Sequence, residues 1–192
     1  DAAIEVFGGD HYLDGLAHCK TVVRSAGVNP LQRPLFEFQM NGGRLTSQIE
    51  LFFERCRSRR IVGVTGTLGK GSCVSMIAHC LDALGVANRL GGNYGVAALD
   101  LLSDENPEQV NVLELSSFQL MTLPASPPVA VVLKTTSEHL DWHRSVEEYR
   151  DAKANLVRWQ KPTDVCIYNA DAEGSAWIAT QFDPTLSWKD VE

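Results

Sequence analysis

The sequence of 192 residues has no long apolar run, no secretory signal and no surplus of basic residues. Its longest apolar run, residues 127–133, is far shorter than the roughly 20 residues of a membrane-spanning helix. No basic stretch precedes an apolar core at the N-terminus, so no signal peptide is predicted. With 24 acidic and 17 basic residues, the formal charge of -7 argues against non-specific binding to nucleic acid or anionic membranes.

Cysteines are few and scattered. There are five, an odd number, with no C-x-x-C pair and no histidine at metal-ligand spacing. This pattern predicts neither a disulfide framework nor a zinc cage. We therefore expect reduced, structural thiols and a cytoplasmic protein.

Short β-rich runs alternate with helical patterns along the chain. The runs cover residues 4–7, 21–24, 60–65, 109–115, 129–133 and 165–169. This alternation predicts an α/β fold with a mostly parallel sheet, and the apolar central runs predict helices on both faces of it. An arginine-rich stretch marks a predicted domain boundary between residues 1–58 and 59–192. The first part holds two plausible strands, too few for a stable sheet, so we expect it to be the tail of a longer domain.

A glycine-rich turn between a buried strand and a helix, residues 61–72, is the sharpest local signal. Its candidate binding residues are Gly66, Thr67, Gly69, Lys70, Gly71 and Ser72. Backbone N–H groups of such a turn surround phosphate oxygens, and Lys70 would reach the terminal phosphates of a nucleotide. The spacing departs from G-x-x-x-x-G-K-[ST], because Gly71 has no hydroxyl, which leaves Ser72 as the candidate metal ligand. The alternative is a plain strand-to-helix turn with a solvated lysine.

Two further candidates follow predicted strands, at the ends where open α/β sheets bind ligands. Glu114 closes an apolar run, where a carboxylate is costly to bury unless a partner such as Mg²⁺ offsets its charge. The alternative is a Glu114 that reaches solvent. His139 and His143, four residues apart, have no evident third ligand for zinc. We interpret His143 as a hydrogen-bonded structural residue and His139 as a functional one.

Lys153 falls on the apolar stripe of a helix predicted from about residue 145 to 157. It shares that stripe with Val146, Tyr149 and Leu156. A core-facing ammonium must snorkel, pair with a carboxylate, lose its proton or be chemically altered. Snorkelling is the usual outcome, but a neutral amine would also capture carbon dioxide and become an anion.

These segments together resemble the Mur ligase superfamily, and within it the branch that adds D-glutamate to UDP-N-acetylmuramoyl-L-alanine. The resemblance rests on the glycine-rich turn of residues 61–72, called the phosphate loop below after its predicted role. It rests also on residues 91–95, 113–120, 138–141 and 149–153, and it extends over about residues 22–171. It implies an ATP- and Mg²⁺-dependent amide ligase of peptidoglycan precursor synthesis. In that reaction the alanine carboxylate attacks the γ-phosphate, and the amine of D-glutamate then displaces phosphate from the acyl phosphate.

By position, the resemblance implies a role for each candidate. Lys70, His139 and Lys153 would be catalytic, with Lys70 on the β- and γ-phosphates and Lys153 carbamylated. Mg²⁺ would be bound by Ser72, Glu114 and His139. The UDP-muramoyl substrate would contact Gly27, Asn93, Ser116 and Gln119.

The resemblance also implies a domain arrangement. Residues 1–58 would be the C-terminal part of a UDP-binding Rossmann-like domain, and residues 59–192 part of the ATP-binding central domain. A third domain, which closes over ATP, would be absent. These missing domains would be partners of the chain, and without them we expect little or no ligase activity.

Several positions depart from the family pattern. Leu68 and Lys134 replace residues that are often asparagine, and Glu138 replaces a common aspartate. The Gly71, Ser72 order is closer to folylpolyglutamate synthases, which ligate glutamate to a folate. That function is the alternative, although residues 114–120 favour the peptidoglycan branch. A catalytically silent nucleotide-binding module is the third hypothesis.

Overall fold

The structure, a computed structural model, describes residues 4–103, 106–138 and 141–181. By internal packing the chain divides into two compact units, Asp1–Gln48 and Ile49–Glu192, and each is described by itself. The assignment of residues 1–58 to a UDP-binding domain and of residues 59–192 to an ATP-binding domain stays a prediction.

The first unit contains a small parallel sheet. Strand β1 is Thr21–Arg24, helix α1 is Arg33–Met40 and strand β2 is Arg44–Ser47. Proline in the first turn of α1 suits a helix start, because its missing N–H would have no partner there. The strand predicted over residues 4–7 is wrong. This stretch has no regular structure and Ile4 is 90% exposed. Despite its β-rich composition, it pairs with no strand in the described part of the chain. β2 was not predicted, because it contains one large apolar residue.

The described part of the second unit is a five-stranded sheet with helices. Its elements are α2 Gln48–Arg55, β3 Ile61–Thr65, α3 Lys70–Ala83, β4 Asn88–Gly92, β5 Val110–Glu114, α4 Ser117–Leu120, β6 Val129–Val132, α5 Val146–Arg158, β7 Val165–Tyr168 and α6 Glu173–Ala179. The strand order is β4-β5-β3-β6-β7, and every pairing is parallel. The predicted α/β fold with a mostly parallel sheet is confirmed.

Side chains on the central strand β3 alternate between two apolar clusters. Ile61 packs in one cluster with Phe52 of α2 and Leu156 of α5. Val64 packs in the other with Val74 of α3 and Val112 of β5. Because successive strand residues point to opposite faces, helices cover both faces of the sheet, as the apolar strands predicted.

The sheet places the predicted functional segments side by side. β3 lies between β5 and β6, and since all three run parallel, their carboxyl ends meet at one edge. The glycine-rich loop follows β3, Glu114 ends β5, and residues 133–138 follow β6. Within the described residues, no helix has the length and apolar character needed to cross a membrane.

Candidate functional site

The loop between β3 and α3 has the backbone that its glycines predicted. Gly66 has φ 151° and Gly69 has φ 83°, both in the region that favours glycine. A Cβ at Gly66 would lie 2.7 Å from the Cβ of Leu133, so the loop passes tightly against the end of β6. Gly69 occupies the N-cap of α3 and has no side chain to bond the first N–H groups of that helix. These N–H groups are therefore suited to phosphate oxygens.

Two lysine ammonium groups meet at one carbonyl oxygen of this loop. Lys70 Nζ donates to the Gly66 oxygen at 3.2 Å and to the Thr67 oxygen at 2.8 Å. Lys153 Nζ, from α5, donates to the same Gly66 oxygen at 2.9 Å and to Thr65 Oγ1 at 3.3 Å. The structure thus concentrates cationic groups where the phosphates of a nucleotide are expected.

Lys153 lies in the core, as its place on the helix stripe predicted. It is 1% exposed, so it does not snorkel. Burial, and to a smaller extent the charge of Lys70, lower the pKa of Lys153 to about 7, although Glu138 and Glu114 act in the opposite direction. An appreciable fraction of the Lys153 amine is therefore neutral near pH 7, and a neutral amine is nucleophilic.

Glu114 ends β5 beside the start of α3. Its Oε1 accepts a hydrogen bond from Asn93 Nδ2 at 2.8 Å, and the Asn93 N–H donates to the Glu114 backbone oxygen at 2.8 Å. A Cβ added at Gly71 would lie 3.3 Å from Glu114 Oε2. The missing side chain of Gly71 therefore leaves room for this carboxylate at the first turn of α3. Glu114 is 6% exposed and does not escape to solvent.

The structure describes two of the three candidate metal ligands. Glu114 provides hard carboxylate oxygens beside the loop, which suit Mg²⁺, and Ser72 is exposed on the first turn of α3. His139 lies outside the described residues. Within residues 4–103, 106–138 and 141–181 there is no group of three His, Cys, Asp or Glu side chains that could hold a metal ion.

The predicted substrate contacts lie in different surroundings. Asn93 contacts Glu114, whereas Ser116 and Gln119 form a capping box at the start of α4. In that box Gln119 Oε1 accepts from the Ser116 N–H at 3.0 Å, and Ser116 Oγ accepts from the Gln119 N–H at 3.3 Å. Gly27 is exposed and belongs to the first unit. The roles of these residues in substrate binding stay predictions.

His143 has the structural role that we expected. Its side chain is buried, its Nε2 lies 2.9 Å from Ser117 Oγ, and its ring stacks on Phe118 with centroids 5.7 Å apart.

The structure also shows the positions of two residues that depart from the family pattern. Leu68 is 75% exposed on the phosphate loop, and the Lys134 backbone oxygen accepts from the Thr67 N–H at 3.0 Å.

Sequence reasoning missed two contacts of Tyr149. Its hydroxyl lies 3.2 Å from Thr67 Oγ1 in the phosphate loop, and Lys153 Nζ lies 4.6 Å from the centroid of its ring. The sequence signals were the stripe that Tyr149 shares with Lys153 on α5 and the place of Tyr149 in the family-like segment 149–153, and neither predicted a contact with the loop.

Comparisons with known proteins agree with this geometry. Residues 64–186 match the family described as the Mur ligase middle domain. A UDP-N-acetylmuramoylalanine–D-glutamate ligase from Acetivibrio thermocellus is 38% identical over 163 residues, which are 85% of this chain and 35% of the relative. The ligase of the same name from Clostridium perfringens is 34% identical over 165 residues, 86% of this chain and 36% of the relative. The chain thus spans about a third of the length of these curated relatives.

Solved structures share the fold at low sequence identity. The UDP-N-acetylmuramate:L-alanyl-γ-D-glutamyl-meso-diaminopimelate ligase from Neisseria meningitides matches with a TM-score of 0.58 and 18% identity, over 88% of this chain and 58% of that one. MurF from Acinetobacter baumannii matches with a TM-score of 0.55 and 15% identity, over 84% of this chain and 42% of that one. At these identities the likeness establishes the fold alone.

Proposed function

Since the chain belongs to the Mur ligase family, we propose that it is part of a ligase that adds D-glutamate to UDP-N-acetylmuramoyl-L-alanine, with ATP as the energy source, in peptidoglycan precursor synthesis. The observation that carries this proposal is the placement of Lys70, Lys153 and Glu114 around one glycine-rich loop. Because the chain spans about a third of its relatives, the activity is proposed for the whole gene product.

The reaction requires two anions to approach each other, the alanine carboxylate and the γ-phosphate of ATP. Lys70 would exchange its bonds to the loop carbonyls for bonds to the β- and γ-phosphates, and the first N–H groups of α3 would bind further phosphate oxygens. Glu114 would hold Mg²⁺, with Ser72 and His139 as further candidates, and the ion would neutralise phosphate charge when bound. Positioning and charge neutralisation together account for most of the acceleration in phosphoryl transfer.

Lys153 is proposed to become carbamylated. Its neutral amine would attack carbon dioxide, forming an N–C bond and releasing a proton to solvent, and the product would be a carbamate anion. Support comes from its burial and from its pKa, which is lowered to about 7. We assign this residue, Lys70 and His139 to the catalytic group of the proposed enzyme.

The remaining assignments concern substrate and surroundings. Gly27, Asn93, Ser116 and Gln119 are proposed to contact UDP-N-acetylmuramoyl-L-alanine. Other domains of the same gene product would bind its uridine diphosphate and D-glutamate. A cytoplasmic location is proposed because all five cysteines, each within the described residues, are free thiols.

A folate ligase is the second candidate. The observation that favours it is the Gly71, Ser72 order at the start of α3, which puts the loop hydroxyl one position later than in the common phosphate-loop motif. Both candidates share the ATP site and differ in the carboxylate that is phosphorylated.

The test is phosphate release by the gene product with ATP, Mg²⁺ and D-glutamate. One sample receives UDP-N-acetylmuramoyl-L-alanine, a second receives a reduced folate, and a third receives no acceptor. Release that requires the muramoyl acceptor supports the proposed function, and release that requires the folate replaces it with the second candidate. Binding of ATP without release in any sample would indicate the catalytically silent module.

A further inference from the structure

We propose that Tyr149 is a positioning residue for nucleotide binding: its hydroxyl holds Thr67 of the phosphate loop, and its ring packs beside the side chain of Lys153. This inference rests on the proposed function, because it concerns the same ATP site. Tyr149 lies on α5, far along the chain from the loop that it contacts.

The Tyr149 hydroxyl contacts a residue that anchors Lys70. Tyr149 OH lies 3.2 Å from Thr67 Oγ1, and the Thr136 N–H donates to the same Thr67 oxygen at 2.9 Å. The Thr67 carbonyl oxygen is also an acceptor for Lys70 at 2.8 Å. A shift of Thr67 would therefore move an anchor of Lys70, and the Tyr149 hydroxyl opposes such a shift.

The Tyr149 ring is held between two neighbouring side chains. Lys153 Nζ lies over the Tyr149 ring, 4.6 Å from its centroid, so the ring forms one wall of the Lys153 site. From another side, the His143 ring meets the Tyr149 ring edge-on, with centroids 5.4 Å apart and an interplanar angle of 73°. The Tyr149 ring is thus packed between two neighbours and has little freedom to rotate.

The Tyr149 hydroxyl adds a polar contact that packing alone does not require. Tyr149 is 1% exposed, and a phenylalanine would fill the same space without a polar atom to satisfy. Burial raises the pKa of Tyr149, so its hydroxyl keeps its proton near neutral pH and remains able to bond Thr67. A buried hydroxyl that contacts the phosphate loop is what distinguishes this residue from a core aromatic.

The experiment is a double-mutant cycle on the affinity of the gene product for Mg·ATP, measured by calorimetry. Tyr149→Phe removes the hydroxyl and keeps the ring, and we expect it to weaken binding about three- to tenfold, the usual range for one hydrogen bond. Thr67→Val should weaken binding more, because it also removes the acceptor of the Thr136 N–H. Thr67→Ser, which keeps the hydroxyl, should restore affinity.

The double-mutant cycle shows whether Tyr149 and Thr67 affect Mg·ATP affinity through their mutual contact. If the two groups act through one contact, Tyr149→Phe should change affinity by less than about twofold in the Thr67→Val background. Losses that multiply in the double variant, or wild-type affinity in Tyr149→Phe, would overturn the proposal. Tyr168→Phe, on strand β7, is the matched control and should bind as the wild type does.

The two proposals fail in different ways. A gene product that binds Mg·ATP but ligates no amino acid would refute the proposed function, while the binding cycle would still decide the role of Tyr149. A gene product that binds no nucleotide would refute both.

Discussion

The loop after β3 and the segment after β5 close two neighbouring strands, but they are held in place by different kinds of contact. Thr67 and Gly66 bond to Tyr149 and Lys153, which are 82 and 87 residues further along the chain. Ser116 instead bonds to Gln119, only three residues away. The phosphate loop therefore depends on correct packing of α5, whereas the start of α4 is specified by its own sequence. Four substitutions test this difference.

The largest loss of stability is expected from Gly66→Ala. The new Cβ would lie 2.7 Å from the Leu133 Cβ at a φ of 151°, which L side chains rarely adopt. We expect a loss of about 3 kcal/mol in the free energy of unfolding, measured by urea denaturation. Gly85→Ala is the control, because Gly85 also has positive φ but no heavy atom within 4 Å of the added Cβ. Equal losses in the two variants would show that the loop is not tightly packed against β6.

Removal of the Lys70 side chain tests whether the loop after β3 uses this ammonium group to bind phosphates. Lys70→Ala should weaken Mg·ATP binding about 10- to 100-fold, since bonds from a charged donor are worth about 1.5–3 kcal/mol. Calorimetric titration of the gene product measures this loss. Lys161→Ala, at an exposed position, should leave the affinity unchanged. Comparable binding by both variants would mean that the loop does not use this ammonium for phosphates.

Lys153→Met tests the buried lysine through the pH dependence of stability. The pKa of Lys153 is about 7 in the fold against an ordinary 10.5, so between these values the unfolded chain binds more protons than the folded one. This group therefore makes the free energy of unfolding rise with pH across that window, by at most about 1.4 kcal/mol per pH unit.

The variant lacks this contribution. Its stability advantage over the wild type should be greatest near pH 7 and should shrink toward pH 10.5. Denaturation curves at several pH values measure the difference, with Lys161→Met as an exposed control. A difference that stays constant with pH would show that Lys153 is not desolvated as described.

The smallest effect is expected from Ser116→Ala in the locally specified segment. Loss of the N-cap should reduce the free energy of unfolding by about 1 kcal/mol, the usual value for such a cap. Thermal and urea unfolding provide the measurement, and Ser103→Ala, at an exposed position, is the control. Because the capping box does not contact the phosphate loop through the bonds described, Mg·ATP affinity should change by less than about twofold. A larger loss of affinity would remove the distinction between the two segments.

The same contrast explains how much of the fold could be predicted from the sequence. The apolar runs that became β3, β5 and β6 were recognised because buried parallel strands require such runs. β4, with the sequence Asn-Arg-Leu-Gly-Gly, was missed because polar residues and glycines hide a strand whose stability comes from its pairing with β5.

The candidate site likewise combines features that local sequence predicts with contacts that form only on tertiary packing. The glycine-rich loop and the core-facing position of Lys153 follow from local spacing, so both could be predicted. The bond between Asn93 and Glu114 joins residues 21 positions apart, and the bond between Thr67 and Tyr149 joins residues 82 positions apart. Neither leaves a periodic pattern in the sequence, because both exist only after the sheet and α5 have packed.

The bonds from Lys70 to the carbonyl oxygens of its own loop have a consequence for ligand choice. A phosphate that binds Lys70 as proposed would have to displace neutral acceptors, which the ammonium already holds at 2.8 and 3.2 Å. A ligand without negative charge offers the ammonium no better partner than it has, so it gains little by the exchange, whereas an anion gains Coulomb energy. In the proposed nucleotide site, the resting lysine would therefore favour polyanions over uncharged molecules of similar shape.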